Sequence, residues 1–223
     1  MTVAVLSQRE RNKLEKRERI LAVARHIIVH EGIEALTMRH LAEVADLSSR
    51  TPYNLFGSKT EILFTLMFES IQLLETLDVR GTEGAVLSVL FDRLGSLLAL
   101  PEEEESFYRS IHWAIMRSDD LESKRQGRLA LDKLIEESLV EAVRRGELAA
   151  TTDLDLLTPH LSVLLASIVG MWADSQLTLE EAVGHTRIAW LNAIRPVAEG
   201  VALDYVREQL DAIAQGSPAH VTV

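Results

Sequence analysis

At 223 residues, with 47% hydrophobic and 26% charged residues but only 11 glycines and 5 prolines, the chain has the composition of an ordered globular protein of one or two domains. The absence of cysteine excludes disulfides, thiolate metal sites and thiol nucleophiles. A formal charge of −11 argues against nucleic acid as a single number, yet residues 1–59 hold ten Lys/Arg against seven Asp/Glu, a net of +3, leaving −14 on the other 164. Such asymmetry suggests one end built for phosphates and the rest kept off them.

The opening MTVAVLSQRER places a short apolar stretch ahead of the basic residues, the reverse of an export signal. The longest mostly apolar run, Leu161 to Ala173, falls short of the roughly 20 residues a bilayer span needs. A soluble, cytoplasmic protein without membrane association is therefore expected. Helical periodicity then dominates. Ile20, Ala24, Ile27 and Ile28 line one face of a first long helix that stops at Glu31-Gly32. Thr37 is a candidate N-cap for a second, short helix from Met38 to Ala45. The turn Asp46-Leu47-Ser48-Ser49 leads into a third, Arg50 to Phe56, ended by Gly57. Ser58 and Glu61 form a capping box ahead of a long fourth helix.

Further helices are expected over Thr82 to Ala99, Pro101 to Arg117, Asp119 to Arg145, Pro159 to Gln176, Leu179 to Ala198 and Leu203 to Ala214, with Thr178 and Glu181 as a second capping box. Pro101 and the glutamates after it suit a helix first turn. No segment alternates like a strand, so the expected fold is all-α. A division follows: 1–58 as a helix-turn-helix DNA-binding domain, 59–215 as a larger helical part, and 216–223 as a disordered tail.

Two short helices joined by a four-residue turn, preceded and followed by longer ones, are the layout of a DNA-binding helix-turn-helix. The stretch TMRHLAEVADLSSRTPYNLFGSKTEIL, residues 37–63, closely resembles the signature of the TetR repressor family, with Tyr53, Phe56, Lys59 and Leu63 at that family's spacing. The resemblance covers about residues 15–68. It implies a transcriptional regulator, most often a repressor, that binds double-stranded operator DNA as a homodimer and leaves it on binding a small effector. It also implies that central helices enclose the effector and the last two long helices dimerise.

The motif's physics stands without the family. Thr37 and Ser58 sit at helix N-termini, where free amides and the helix dipole favour a phosphate. Tyr53, Lys59 and Arg39 suit the same positioning task. Ser48 and the exposed front of the third helix, Ser49, Arg50, Thr51 and Asn54, are placed to contact DNA, with Arg50 offering a fork to guanine and Asn54 a pair of bonds to adenine. Two residues depart from the family pattern. Asp46 stands where a turn glycine is usual, and Asp tolerates the left-handed region. Pro52 lies inside the recognition helix and predicts a late or tighter start, which leaves the base-reading set open. The basic start, Arg9 to Arg19, is either an arm for the minor groove or a solvated helix face, and the interleaved Glu10, Glu15 and Glu18 favour the second.

For effector binding the candidates are Tyr108, His112, Trp113, Met116 and Trp172, which would make a largely apolar pocket with one polar handle; the plainer reading is ordinary core. For dimerisation they are Leu161, Leu165, Ile168, Ile188 and Leu191. No cofactor or metal is expected. An enzyme is the first rival, but the sequence carries no HExxH, no GxSxG and no phosphate-loop glycines. His26 and His30, one turn apart, lack a third metal ligand nearby. The other rival is a non-catalytic helical ligand-binding or interaction protein, which would have no use for phosphate-binding helix starts between Thr37 and Lys59.

Overall fold

The structure is a computed structural model that describes residues 7–75, 85–98 and 102–215. Its helices are α1 (Gln8–Glu31), α2 (Met38–Val44), α3 (Arg50–Phe56), α4 (Lys59–Glu75), α5 (Val86–Leu98), α6 (Glu102–Arg117), α7 (Leu121–Arg144), α8 (Leu154–Ala173), α9 (Leu179–Ile194) and α10 (Gly200–Ala214). Among the described residues no strand forms, only a lone antiparallel bridge between Leu148 and Ala198. The fold is all-α, as the periodicity predicts. The expected starts at Thr82 and Pro101, and the tail 216–223, lie outside the described residues.

The chain divides into two compact units, one of residues up to Glu69 with Ser106–Arg125, the other of Ser70–Glu105 with Gln126 onward. In the first, Ile20, Ala24, Ile27 and Ile28 of α1 are buried, as are Leu41, Ala42 and Ala45 of α2 and Phe56 of α3. Gly32 ends α1 at φ 89°, and Asp46 takes φ 51° after α2, the left-handed turn that its side chain tolerates.

Pro52 breaks nothing. It is the third residue of α3, where a backbone amide has no partner inside the helix in any case. The helix keeps its expected span, and the turn before it is tightened by Thr51 N–H donating to the Ser48 carbonyl at 2.8 Å.

In the second unit, Phe91 of α5, Ile135 and Leu139 of α7, Leu161 and Leu165 of α8, Trp190, Leu191 and Ile194 of α9 and Val206 of α10 share one core. The Trp190 indole N–H donates to the Leu161 carbonyl at 3.0 Å, locking α9 to α8. The buried Glu147 carboxylate accepts the Val86 N–H at 2.8 Å, satisfying an orphan donor at the start of α5. Backbone bonds from Ala149 to Val197 (2.9 Å) and from Glu199 to Glu147 (2.8 Å) join the loop after α7 to the end of α9.

Three helices depart most from their expected bounds, α8 at both ends since it stops at Ala173. α8 starts at Leu154, where Asp153 caps by accepting the Leu156 N–H, and Pro159 rides in its second turn. The α9 helix stops at Ile194 and passes into a 3₁₀ turn, Arg195–Val197, because Pro196 has no amide to continue the ladder. α10 starts earlier than Leu203, at Gly200. The longer α8 is also, by length and composition alone, sufficient to cross a membrane. Leu161, Leu165 and Trp172 of this helix are buried within the chain, and the Leu161 carbonyl accepts the Trp190 indole N–H.

Candidate nucleic-acid interface

The front of α3 presents Ser49, Arg50, Tyr53 and Asn54, all exposed, at positions one helical turn apart or adjacent. Tyr53 keeps 56% of its surface free although it is a large aromatic side chain. Thr51 turns partly inward, and its hydroxyl pairs with that of Ser48 at 2.8 Å. Ser48 and Thr51 therefore fasten the start of the helix; Ser48 stays exposed beside the other four, and only Thr51 is half-buried.

The residues expected to anchor phosphates stand on the neighbouring helix starts. Thr37 caps α2, its hydroxyl oxygen accepting the His40 N–H at 3.1 Å. Arg39 is exposed and paired with Glu43 at 2.9 Å, a bond that raises its pKa. Ser58 accepts the Glu61 N–H at 3.1 Å, giving one half of the expected capping box. Lys59 is half-buried and donates from Nζ to the Ile33 carbonyl at 3.0 Å. Desolvation lowers its pKa, offset in part by Glu34. Its ammonium has three donors, so one bond to Ile33 leaves others for a phosphate.

Several positioning residues escaped the sequence reading. Arg17 of α1 donates to the Leu55 carbonyl at the end of α3, and its guanidinium lies 4.1 Å from the centre of the Phe56 ring. Arg25 stacks in the same way on Phe107, at 4.5 Å. At the start of α4, Ser58 pairs with Ser123 at 3.1 Å and Thr60 with Ser118 at 2.7 Å. Asp120 caps α7 by accepting the Ser123 N–H at 3.0 Å, and hydrogen bonds from Ser58 and then Ser123 lower its pKa. Only the Asp120-to-Ser123 spacing was a visible cap signal, since the other pairs are distant in sequence.

The effector candidates divide. Tyr108 and His112 are buried on one face of α6, while Trp113 and Met116 are 41% and 51% exposed on another. Trp113 stacks on Arg117 at 4.8 Å, and Trp172 is buried in the other unit. Of the dimerisation candidates, Leu161, Leu165 and Leu191 are interior to a single chain, Ile168 is half-buried and Ile188 is 36% exposed. α8 is apolar on nearly every side, so its pattern alone does not say which side meets its own core and which is left for another surface. The large apolar residues it leaves exposed are Leu156, Val163 and Met171. His26 and His30 are exposed with ring centres 4.3 Å apart, and no group of three metal-ligating residues occurs among the described residues.

Residues 20–66 match the family model described as bacterial regulatory proteins, tetR family. Solved structures share the fold over most of the chain. A TetR-family transcriptional regulator from Rhodococcus sp. is 21% identical, with 83% of this chain and 100% of that one covered and a TM-score of 0.60. FadR of Thermus thermophilus, a TetR-family repressor in complex with lauroyl-CoA, is 20% identical over 82% and 97% of the two chains, with a TM-score of 0.62. RolR, in complex with resorcinol, is 17% identical over 95% and 99%, with a TM-score of 0.58. No curated protein matches the chain. The N-terminal helices thus form a TetR-family helix-turn-helix domain, and the chain as a whole has the fold of TetR-family regulators.

Proposed function

We propose that the protein is a dimeric, sequence-specific transcriptional repressor released from its operator by a small effector. The observation that carries this is the bare front of α3, where Ser49, Arg50, Tyr53 and Asn54 lie open between the capped starts of α2 and α4. Arg50 and Asn54 supply fork and amide chemistry suited to guanine and adenine, and the flanking helix starts supply phosphate anchors. Effector binding and dimerisation are assigned to residues 59–215. The effector is largely apolar, a reading supported by the lauroyl-CoA and resorcinol complexes of FadR and RolR. α4 has residues in both units and carries the signal, so that a shift of the helix re-spaces the recognition helices.

The test is selection of bound duplexes from random DNA, followed by operator affinity with and without saturating lauroyl-CoA and, separately, resorcinol. A defined palindromic site supports the proposal, and a loss of affinity with one compound identifies the effector class. No sequence preference at moderate salt would overturn the DNA role and leave a helical ligand-binding or interaction protein. Affinity unchanged by either compound would remove the apolar-effector reading built on those relatives.

A further inference from the structure

The first three turns of α1 reach beyond the core of the helix-turn-helix. Ser7 and Glu10 close a capping box at its start, so this stretch is set as helix from its first residue. From residue 8 to residue 19 every side chain is exposed except Arg17, which is half-buried. The face that buries Ile20, Ala24 and Ile27 continues outward through Lys16, Lys13 and Arg9, each three or four positions from the next. One stripe therefore changes from aliphatic to cationic where the core ends.

Glu15 and Glu18 fall on the other side of the helix, and Glu10 is occupied with the Ser7 backbone at 2.8 Å. No hydrogen bond or ion pair engages the side chains of Arg9, Lys13 or Lys16 among the described residues, although acids stand within a turn of each. Arg17, at the edge of the stripe, binds the Leu55 carbonyl and covers Phe56, which fixes the stripe to the end of the recognition helix just before Gly57, Ser58 and Lys59.

We propose that Arg9, Lys13 and Lys16 form a second phosphate-contacting surface, engaging the DNA backbone that flanks the groove read by α3. The inference rests on the DNA-binding reading and adds to it an ordered helical contact outside the matched segment 20–66. The occupant is duplex DNA, because a row of unpaired cations continuous with the phosphate anchors at Ser58 and Lys59 complements a polyanion. Such contacts carry no base preference and are sensitive to salt.

The experiment compares two full-length double variants of equal charge on the operator selected above. Lys13→Gln with Lys16→Gln removes two cations of the stripe; Arg11→Gln with Arg19→Gln removes two from outside it. All four positions are exposed, and unchanged melting curves check that both variants fold. The stripe variant should flatten the plot of log affinity against log salt by about 1.8, the release expected for two phosphate contacts. The other should leave the slope near that of the unsubstituted protein. Trimming the flanking base pairs should weaken the unsubstituted protein and spare the stripe variant. Equal slopes for both variants, or no change in either, overturn the stripe while the DNA role stands. Failure of the unsubstituted protein to bind any duplex overturns both.

Discussion

Lys59 and Asn54 sit at opposite ends of one task. Lys59 Nζ donates to the Ile33 carbonyl at 3.0 Å, so it ties the start of α4 to the loop ahead of α2, and under the proposed function it also meets a phosphate. Lys59→Ala is expected to lower stability by about 1–2 kcal/mol and to weaken binding to every duplex, with a shallower salt dependence. Asn54 is exposed at the front of α3. Asn54→Ala should leave the melting temperature unchanged and cost about 1–3 kcal/mol of discrimination at one base position. Binding isotherms on operator and scrambled DNA separate the two, and identical profiles would refute the division. At the turn, Asp46 holds φ 51°. Asp46→Ala should cost about 1 kcal/mol in denaturant melts because a Cβ without a local polar partner resists that region, whereas Asp46→Gly should be neutral or stabilising. Equal losses from both would point to the carboxylate instead of the backbone.

At the scale of elements, the start of α4 is fastened to the corner between α6 and α7 by the Thr60–Ser118 and Ser58–Ser123 hydroxyl pairs. The partly buried Thr60–Ser118 bond should give a coupling of about 0.5–1.5 kcal/mol in a Thr60→Val, Ser118→Ala double-mutant cycle. Strict additivity would show that the bond contributes nothing. The end of α7 carries a pH dependence. Arg144 and Arg145 bond Glu141 and hold its carboxyl down at about 2, against an ordinary value of 4.5. A depressed folded-state pKa stabilises above the unfolded value, so this contribution is complete above about pH 4.5 and vanishes as pH falls toward 2. The melting temperature of Glu141→Gln should therefore lie below that of the unsubstituted protein at neutral pH and converge with it on acidification, and a constant gap would contradict the assignment. These two features also mark what the sequence makes legible. α3 kept its expected span and Thr37 its cap, because turn chemistry is local. Ser58 and Ser123 stand 65 positions apart, and nothing in either hydroxyl's neighbourhood announces the other. Pro159 resembled a helix start because proline favours first turns, but the stronger signal was the Asp153 cap six residues earlier.

For the whole molecule, the decisive quantity is how little of α8 a single chain covers. Only 33% of its most apolar stretch is buried, and Leu156 (68%), Val163 (44%) and Met171 (42%) remain exposed, with Ile188 (36%) on the outer side of α9. Leaving these side chains in water forgoes about 1.5–3 kcal/mol each, relative to full burial, and a second copy of the chain is the occupant that the proposed operator geometry demands. Two recognition helices about 34 Å apart would fit successive turns of the major groove, whereas one alone reads a half-site. Val163→Glu with Ile188→Glu puts charge into this face without touching Trp190, Leu161 or Leu191, so the chain itself should remain folded. Sedimentation should then report one chain mass in place of two, and affinity for a palindromic operator should fall by orders of magnitude while weak half-site binding persists. A dimer that survives both glutamates would move the interface elsewhere. A monomer that still binds the palindrome at full strength would break the link between pairing of chains and recognition of DNA.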